Sequence, residues 1–177
     1  MQMNYLKRKL YKIFREKFIL QPAFEEAQKD KQGNGIIKKS KVISISGMIF
    51  SSMFIIGSIL VREDFNDNFE LLVLLVTMSI IFLILSLVAA TSKVIYNTEG
   101  ITSHRLGFKR HLYYNSITSV NYSRIFGGSI VLKGVGIKII VTFENKGFID
   151  FFQVLKNHFG DEKVKDIEMK LKAWRNQ

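Results

Sequence analysis

Two long uncharged stretches leave few folds open to this chain. Residues Val42 to Leu60 (VISISGMIFSSMFIIGSIL) carry no charge over 19 positions, and Leu71 to Ala90 (LLVLLVTMSIIFLILSLVAA) carry none over 20. At ~1.5 Å rise per residue they make helices of roughly 28 and 30 Å. The hydrocarbon core of a bilayer is about 30 Å thick. Burying both in a soluble core would need apolar mass on every side, and a chain of 177 residues has too little left to supply it. The expectation is a transmembrane hairpin: helix 42–60, a short acidic external loop 61–70, and helix 71–91. The first stretch begins behind a long charged region and no small-residue cleavage site follows it, so it does not read as a signal peptide.

Charge sets the expected orientation. Residues 1–41 carry 11 Lys/Arg and 4 Asp/Glu, residues 61–70 carry 1 and 4, and residues 91–177 carry 14 and 7. The positive-inside rule then puts both termini in the cytoplasm of a cell membrane and the acidic connector outside. No Asp, Glu, Lys, Arg or His interrupts either span, which argues against an ion or proton pathway. The net charge of +11 invites a nucleic-acid reading, but the basic residues concentrate beside the spans, where topology explains them. No nucleic-acid partner is expected.

The two spans differ in texture. Ser44, Gly47, Ser51 and Ser58 share one face of the first, and small residues on a stripe let another helix backbone approach closely. That face suits the second span of the same hairpin, a homo-oligomer, or a partner span. The second helix is Leu/Ile/Val-rich and suits lipid.

The N-terminal arm, residues 1–41, reads as basic and cytoplasmic. Within it residues 4–20 form an amphipathic pattern. Leu6, Leu10, Ile13, Phe14 and Phe18 recur at helical spacing, Asn4 is placed as an N-cap, and Lys/Arg fill much of the rest. Such a helix either lies in the membrane interface or packs on the cytoplasmic domain. Residues 28–41 (QKDKQGNGIIKKSK) read as a flexible linker.

From Lys93 onwards the pattern changes to short alternating runs. Strands are expected at 93–97, 100–105, 109–114, 117–123, 129–133 and 137–143, separated by Gly- and Asn-containing turns. Ile137, Ile139, Val141 and Phe143 share a face of the last. A helix follows, with Phe148, Phe151, Phe152, Leu155 and Phe159 as its stripe and Gly160 ending it. Residues 161–177 make a charged helix with a seam of Val164, Ile167, Leu171 and Trp174. A strand meander closed by an amphipathic helix outlines a small half-open barrel.

The segment Val94-Ile95-Tyr96-Asn97-Thr98-Glu99-Gly100-Ile101, followed by basic residues and then Tyr114-Asn115-Ser116-Ile117-Thr118-Ser119-Val120, resembles the bacterial pleckstrin-homology-like (PH-like) domain family. The YcxB-like membrane proteins share the same layout of hairpin followed by domain. The resemblance spans about residues 71–160. It implies a PH-like antiparallel barrel or sandwich of about seven strands over 92–160, capped by a helix, and no catalytic activity. The fold class expected is thus a membrane α-helical hairpin plus an α+β cytoplasmic domain.

Strand alternation puts the loops 106–108, 124–127 and 144–147 at the membrane-proximal end. The first is bracketed by His104, Arg105, Lys109, Arg110 and His111, with Leu106 and Phe108 at its tip. Cations around an apolar tip suit an anionic headgroup surface. Arg105, Lys109, Arg110 and Phe108 are therefore the lipid-binding candidates.

Other chemistry is sparse. The chain has no Cys, which removes disulfides, thiolate metal sites and cysteine nucleophiles. His104, His111 and His158 lack metal-ligand spacing. Ser103-His104 is a sequence neighbour pair, not a dyad that meets in space. Gly127-Gly128 and Gly134-x-Gly136 lack the strand–loop–helix setting of a phosphate cradle. No cofactor, metal or catalytic residue is expected. The expected role is a non-enzymatic, membrane-anchored module that binds anionic inner-leaflet lipid or a protein partner. The rival is an accessory subunit or regulator of a larger membrane complex that docks through its hairpin and barrel.

Overall fold

The computed structural model describes residues 9, 12, 13, 15–61 and 68–176. The chain divides into two units: Lys41–Thr91, and the residues up to Ser40 together with those from Ser92 onward.

The first of these units is a helical hairpin. Helix α1 spans Lys41–Val61 and α2 spans Phe69–Thr91. Both are long and apolar enough to cross a membrane. A core helix of a soluble protein is mostly buried, whereas only 6% and 17% of the most apolar windows of α1 and α2 are buried. The buried part is the stripe where the two helices meet, and their remaining faces expose residues such as Ile49, Met53, Ile56, Leu74, Ile80 and Leu85. Most of the expected acidic connector, residues 62–67, lies outside the described residues.

The other unit is α+β. Its strands are β1 (Gln28–Lys29), β2 (Gly35–Lys38), β3 (Lys93–Tyr96), β4 (Gly100–Arg105), β5 (Phe108–Tyr113), β6 (Ile117–Ser123), β7 (Ser129–Gly134) and β8 (Ile137–Thr142). All pairings are antiparallel, in a five-stranded sheet ordered β1-β2-β3-β4-β5 and a three-stranded sheet ordered β6-β7-β8. Among the described residues the two sheets do not hydrogen-bond into a closed barrel. Helices α3 (Phe148–Phe159) and α4 (Asp161–Asn176) complete the unit.

Alternation builds the core. Ile37, Val94, Ile101 and Leu112 on one sheet face Ile130, Leu132, Ile139 and Val141 on the other, and all are buried. Helix α3 adds Phe148, Phe151, Phe152 and Leu155, and α4 adds Val164, Ile167, Leu171 and Trp174. Phe143 joins these layers, with its ring 4.9 Å from that of Phe148 and 5.6 Å from that of Trp174.

The expected linker 28–41 is a correction. Residues 28–38 form β1 and β2, and β2 pairs along its whole length with β3, from the far side of the helical hairpin in sequence. The turn between β1 and β2 is held by Asp30, whose carboxylate accepts hydrogen bonds from the Gln32 and Asn34 amides and the Asn34 side chain. Gly35 is required where it stands, because a Cβ there would lie 2.2 Å from the Tyr96 ring. Among the described residues there are thus eight strands against the six read from the sequence, because two precede the hairpin.

The expected helix 4–20 lies partly outside the described residues, including Asn4, Leu6, Leu10 and Phe14. Its end is a π-helical turn, Glu16–Leu20, running into the short helix Gln21–Phe24. This segment packs on the α+β unit. Ala23 is fully buried, Arg15 donates to the Trp174 carbonyl, and the Arg175 guanidinium sits 5.1 Å over the Phe24 ring.

Candidate functional site

Hydrogen bonding gathers three loops at one end of the α+β unit. Lys38, Lys93, His104 and Lys109 are successive partners across β2 to β5. The 144–147 loop joins Lys38 through an antiparallel bridge at Lys146, with Lys146 N donating to the Lys38 carbonyl at 2.9 Å. The 124–128 turn joins the same end, because Phe143 N donates to the Gly128 carbonyl at 2.9 Å. The hairpin tip Leu106–Gly107 belongs there too, between Arg105 and Phe108, which pair.

That tip is tight. Leu106 and Gly107 both have positive φ, +49° and +83°. A two-residue turn with two positive φ angles matches the twist of its strands. Glycine or asparagine fits such positions readily, whereas leucine is a strained choice. Leu106 is 47% exposed there, and Phe108, two residues on, is 77% exposed.

Register divides the four lipid-binding candidates between two faces. Arg105 pairs with Phe108 and Ser103 with Arg110, so these residues share the side that carries Ile37, Val94, Ile101 and Leu112 deeper in the sheet. Lys109 pairs with His104 on the opposite face. Arg105, Phe108 and Arg110 line a cleft of about 540 Å³, and Lys109 does not. Across the cleft stands β8, the edge strand of the second sheet, with Lys138 and Thr142. Lys39 and Lys93, at the two chain connections to the helical hairpin, contribute as well. Lys39, Lys93, His104, Arg105, Arg110 and Lys138 border this concavity, with Arg105 and Arg110 on the core side of the first sheet and Lys93 and His104 on the face that also carries Lys109.

The crowding acts on the titrating groups. Burial lowers the pKa of Lys39, Glu144 opposes that shift, and Arg105 adds to it. Burial lowers the His104 pKa, helped by Lys93 and Lys109. Glu144 is raised by burial against the pull of Lys39.

The small-residue face of α1 is occupied within its own hairpin. The Ser44 hydroxyl donates to the Ser86 carbonyl at 3.3 Å, and Ser86 donates back to the Ser44 carbonyl at 2.6 Å. Ser51 and Ser79 repeat the exchange at 3.0 and 3.1 Å. A Cβ on Gly47 would lie 3.0 Å from the Ser86 Cβ. Ser58 instead donates to the carbonyl of Ile55 in its own helix.

The remaining motifs do not assemble into a site. Ser103 and His104 point to opposite faces of β4. His111 Nδ1 lies 2.8 Å from the Thr102 hydroxyl, and His158 stacks on Tyr114 with ring centroids 4.0 Å apart. Among the described residues no three His, Asp or Glu side chains are grouped to hold a metal ion. Gly128 and Gly136 sit in turns between strands. Sequence reasoning missed Lys39, Lys93 and Lys138 as cleft residues, and Ser79 and Ser86 as the partners of the small stripe. A Ser spacing of seven on α2 was the available signal for the last two.

No protein family, curated protein or solved structure matches this chain.

Proposed function

We propose that this chain is a membrane-anchored, non-enzymatic module with a PH-like cytoplasmic domain that engages the anionic inner leaflet. The observation that carries the reading is the gathering of cations at the end of the sheet from which the chain continues into α1 and α2. Lys38 is three residues from the start of α1, and Lys93 is two residues past the end of α2. Three residues of extended chain reach at most about 10 Å, close to the Debye length of ~8 Å at physiological salt. With both helices across a bilayer, these cations are tethered within range of its surface charge. Each Lys or Arg near an anionic surface contributes about 1 kcal/mol. The exposed Leu106 and Phe108 add apolar contact at the interface, as in other peripheral anchors. The Tyr-Asn-Thr-Glu-Gly turn and the Asn115–Val120 segment support the PH-like assignment. The charge asymmetry across the spans supports cytoplasmic termini.

The test is hydrogen–deuterium exchange on the full chain in nanodiscs of phosphatidylcholine, with and without phosphatidylglycerol. Amides 104–111 are expected to gain protection in the anionic discs. The gain should fade from about 0.1 M salt, where the Debye length is about 10 Å, to about 1 M, where it is about 3 Å. Equal exchange in both discs at low salt overturns the reading.

A further inference from the structure

We infer that the turn 124–128 between β6 and β7 is a second membrane-contact site, which seats Ile125 in the lipid interface alongside the Leu106–Phe108 tip. The inference rests on the leaflet reading above and adds to it a contact from the other sheet.

An exposed isoleucine alone says little, since single apolar residues are ordinary on protein surfaces. Position gives this one its meaning. Among the described residues, three turns between strands carry an exposed large apolar residue: Leu106 at 47%, Ile125 at 47% and Val135 at 85%. The β6–β7 ladder runs from Ser123↔Ser129 at one end to Ile117↔Gly134 at the other, so the 124–128 turn and Val135 lie at opposite ends. Thr142 pairs with Ser129, and the chain continues from there to Lys146, which bonds to Lys38, three residues before α1. Ile125 therefore shares the end of the α+β unit from which the chain enters α1, and Val135 does not. The 144–147 loop at the same end offers no apolar tip, because Asn145 and Gly147 are buried and Lys146 pairs with Glu25.

The turn is suited to a dry setting. A segment that enters the interface must satisfy its backbone groups with little help from water. Ile125 N donates to Ser123 Oγ at 3.3 Å, and the Ile125 carbonyl accepts from Gly128 N at 3.3 Å. The Ser129 hydroxyl donates to the Ser123 carbonyl at 3.3 Å, and the Gly128 carbonyl accepts from Phe143 N at 2.9 Å. Gly128, with a φ of +129°, lies against the Phe143 ring, where a Cβ would come within 2.7 Å. The turn is thus seated on a core aromatic while Arg124 and Ile125 stay exposed. Arg105 and Leu106 make the same sequence pair of cation and apolar residue, and an anionic interface accepts both parts. Two tips on two sheets give two points of attachment. Contact through one raises the effective concentration of the other at the surface, so the two should reinforce each other.

The chain has no Cys, so a single introduced cysteine takes one label. The experiment attaches bimane at Ile125→Cys, Phe108→Cys or Val135→Cys in the full chain. The chain is held in nanodiscs of phosphatidylglycerol and phosphatidylcholine, the latter carrying an acyl-chain nitroxide as quencher. Quenching is expected at 125 and 108 and not at 135. In the unlabelled chain, Ile125→Ser should lower the anionic-disc protection of amides 104–111 by about three- to tenfold, the equivalent of roughly 0.7–1.4 kcal/mol. Val135→Ser should leave that protection unchanged, and unaltered exchange of β7 shows that the fold persists in both. Quenching at 108 with none at 125 overturns the second contact and leaves the leaflet reading standing. Quenching at neither position overturns both. Equal quenching at all three positions shows adsorption driven by the label and overturns the second contact.

Discussion

Leu106 carries a local cost that the fold does not require. Its φ of +49° is a conformation asparagine or glycine adopts with far less strain. Leu106→Asn is expected to raise the stability of the α+β unit by about 1 kcal/mol and to weaken protection of 104–111 in anionic nanodiscs. A loss of stability, measured by thermal or chemical unfolding, would show that the leucine serves the fold instead. His104 makes a pH prediction. Its imidazole is held below its ordinary pKa of 6.5 by burial, with Lys93 and Lys109 adding to the shift. The folded state therefore disfavours the proton, and the stability it contributes is full above about 6.5 and is lost as pH falls through the lower, folded value. His104→Gln should flatten the decline in stability below about pH 6.5. An unchanged slope would contradict the assignment. Raising Lys93 and Lys109 to neutral Gln should move the imidazole back towards its ordinary value.

At the scale of elements, legibility followed apolar density. The two long apolar helices α1 and α2, strands β3 to β8 and helices α3 and α4 were readable, because each has either uncharged length or a sustained period of 2 or 3.6. Residues 28–38 were not, because only Ile36 and Ile37 are apolar among Lys, Gln, Asn and Gly. A short strand whose partner lies beyond two membrane-length helices leaves little local trace. The turn chemistry of Asp30, Gly33 and Asn34 was the available signal. The consequence is testable. Ile37 is 1% exposed, whereas Ile36 is half-buried on the opposite face. Ile37→Ala should cost about 2–4 kcal/mol of stability and Ile36→Ala well under half of that. Equal small effects would return the segment to the status of a linker. The same alternation explains the partial reading of the site. Arg105, Phe108 and Arg110 were grouped with Lys109 by sequence proximity, and only the register of β4 with β5 separates their faces. Lys39, Lys93 and Lys138 were unreadable as a group because the pairing of β2 with β3 and the packing of β5 near β8 bring them together.

The α+β unit is assembled from both sides of the helical hairpin. Its β2–β3 pair joins residue 38 to residue 93, so 51 residues of hairpin, Lys41–Thr91, are inserted into one sheet. The fragment 92–177 lacks β1, β2, Ala23 and Ile37 and leaves β3 as an unpaired edge, so it is expected to be poorly folded in isolation. Replacing 41–91 by a short Gly/Asn turn should give a soluble, cooperatively unfolding domain, since paired strand residues such as Lys38 and Lys93 lie only about 5 Å apart. Cooperative unfolding of 92–177 alone would contradict that assembly. This architecture also bears on function, because the two connections that carry the insertion are the ones that bring Lys39 and Lys93 to the cleft. The central claim is that this end of the domain reads an anionic leaflet. Exchange of amides 104–111 in the full chain, in neutral against anionic nanodiscs across a salt series, tests it most directly. The account predicts protection that requires anionic lipid and fades with salt. Identical exchange in both discs at low salt would contradict it.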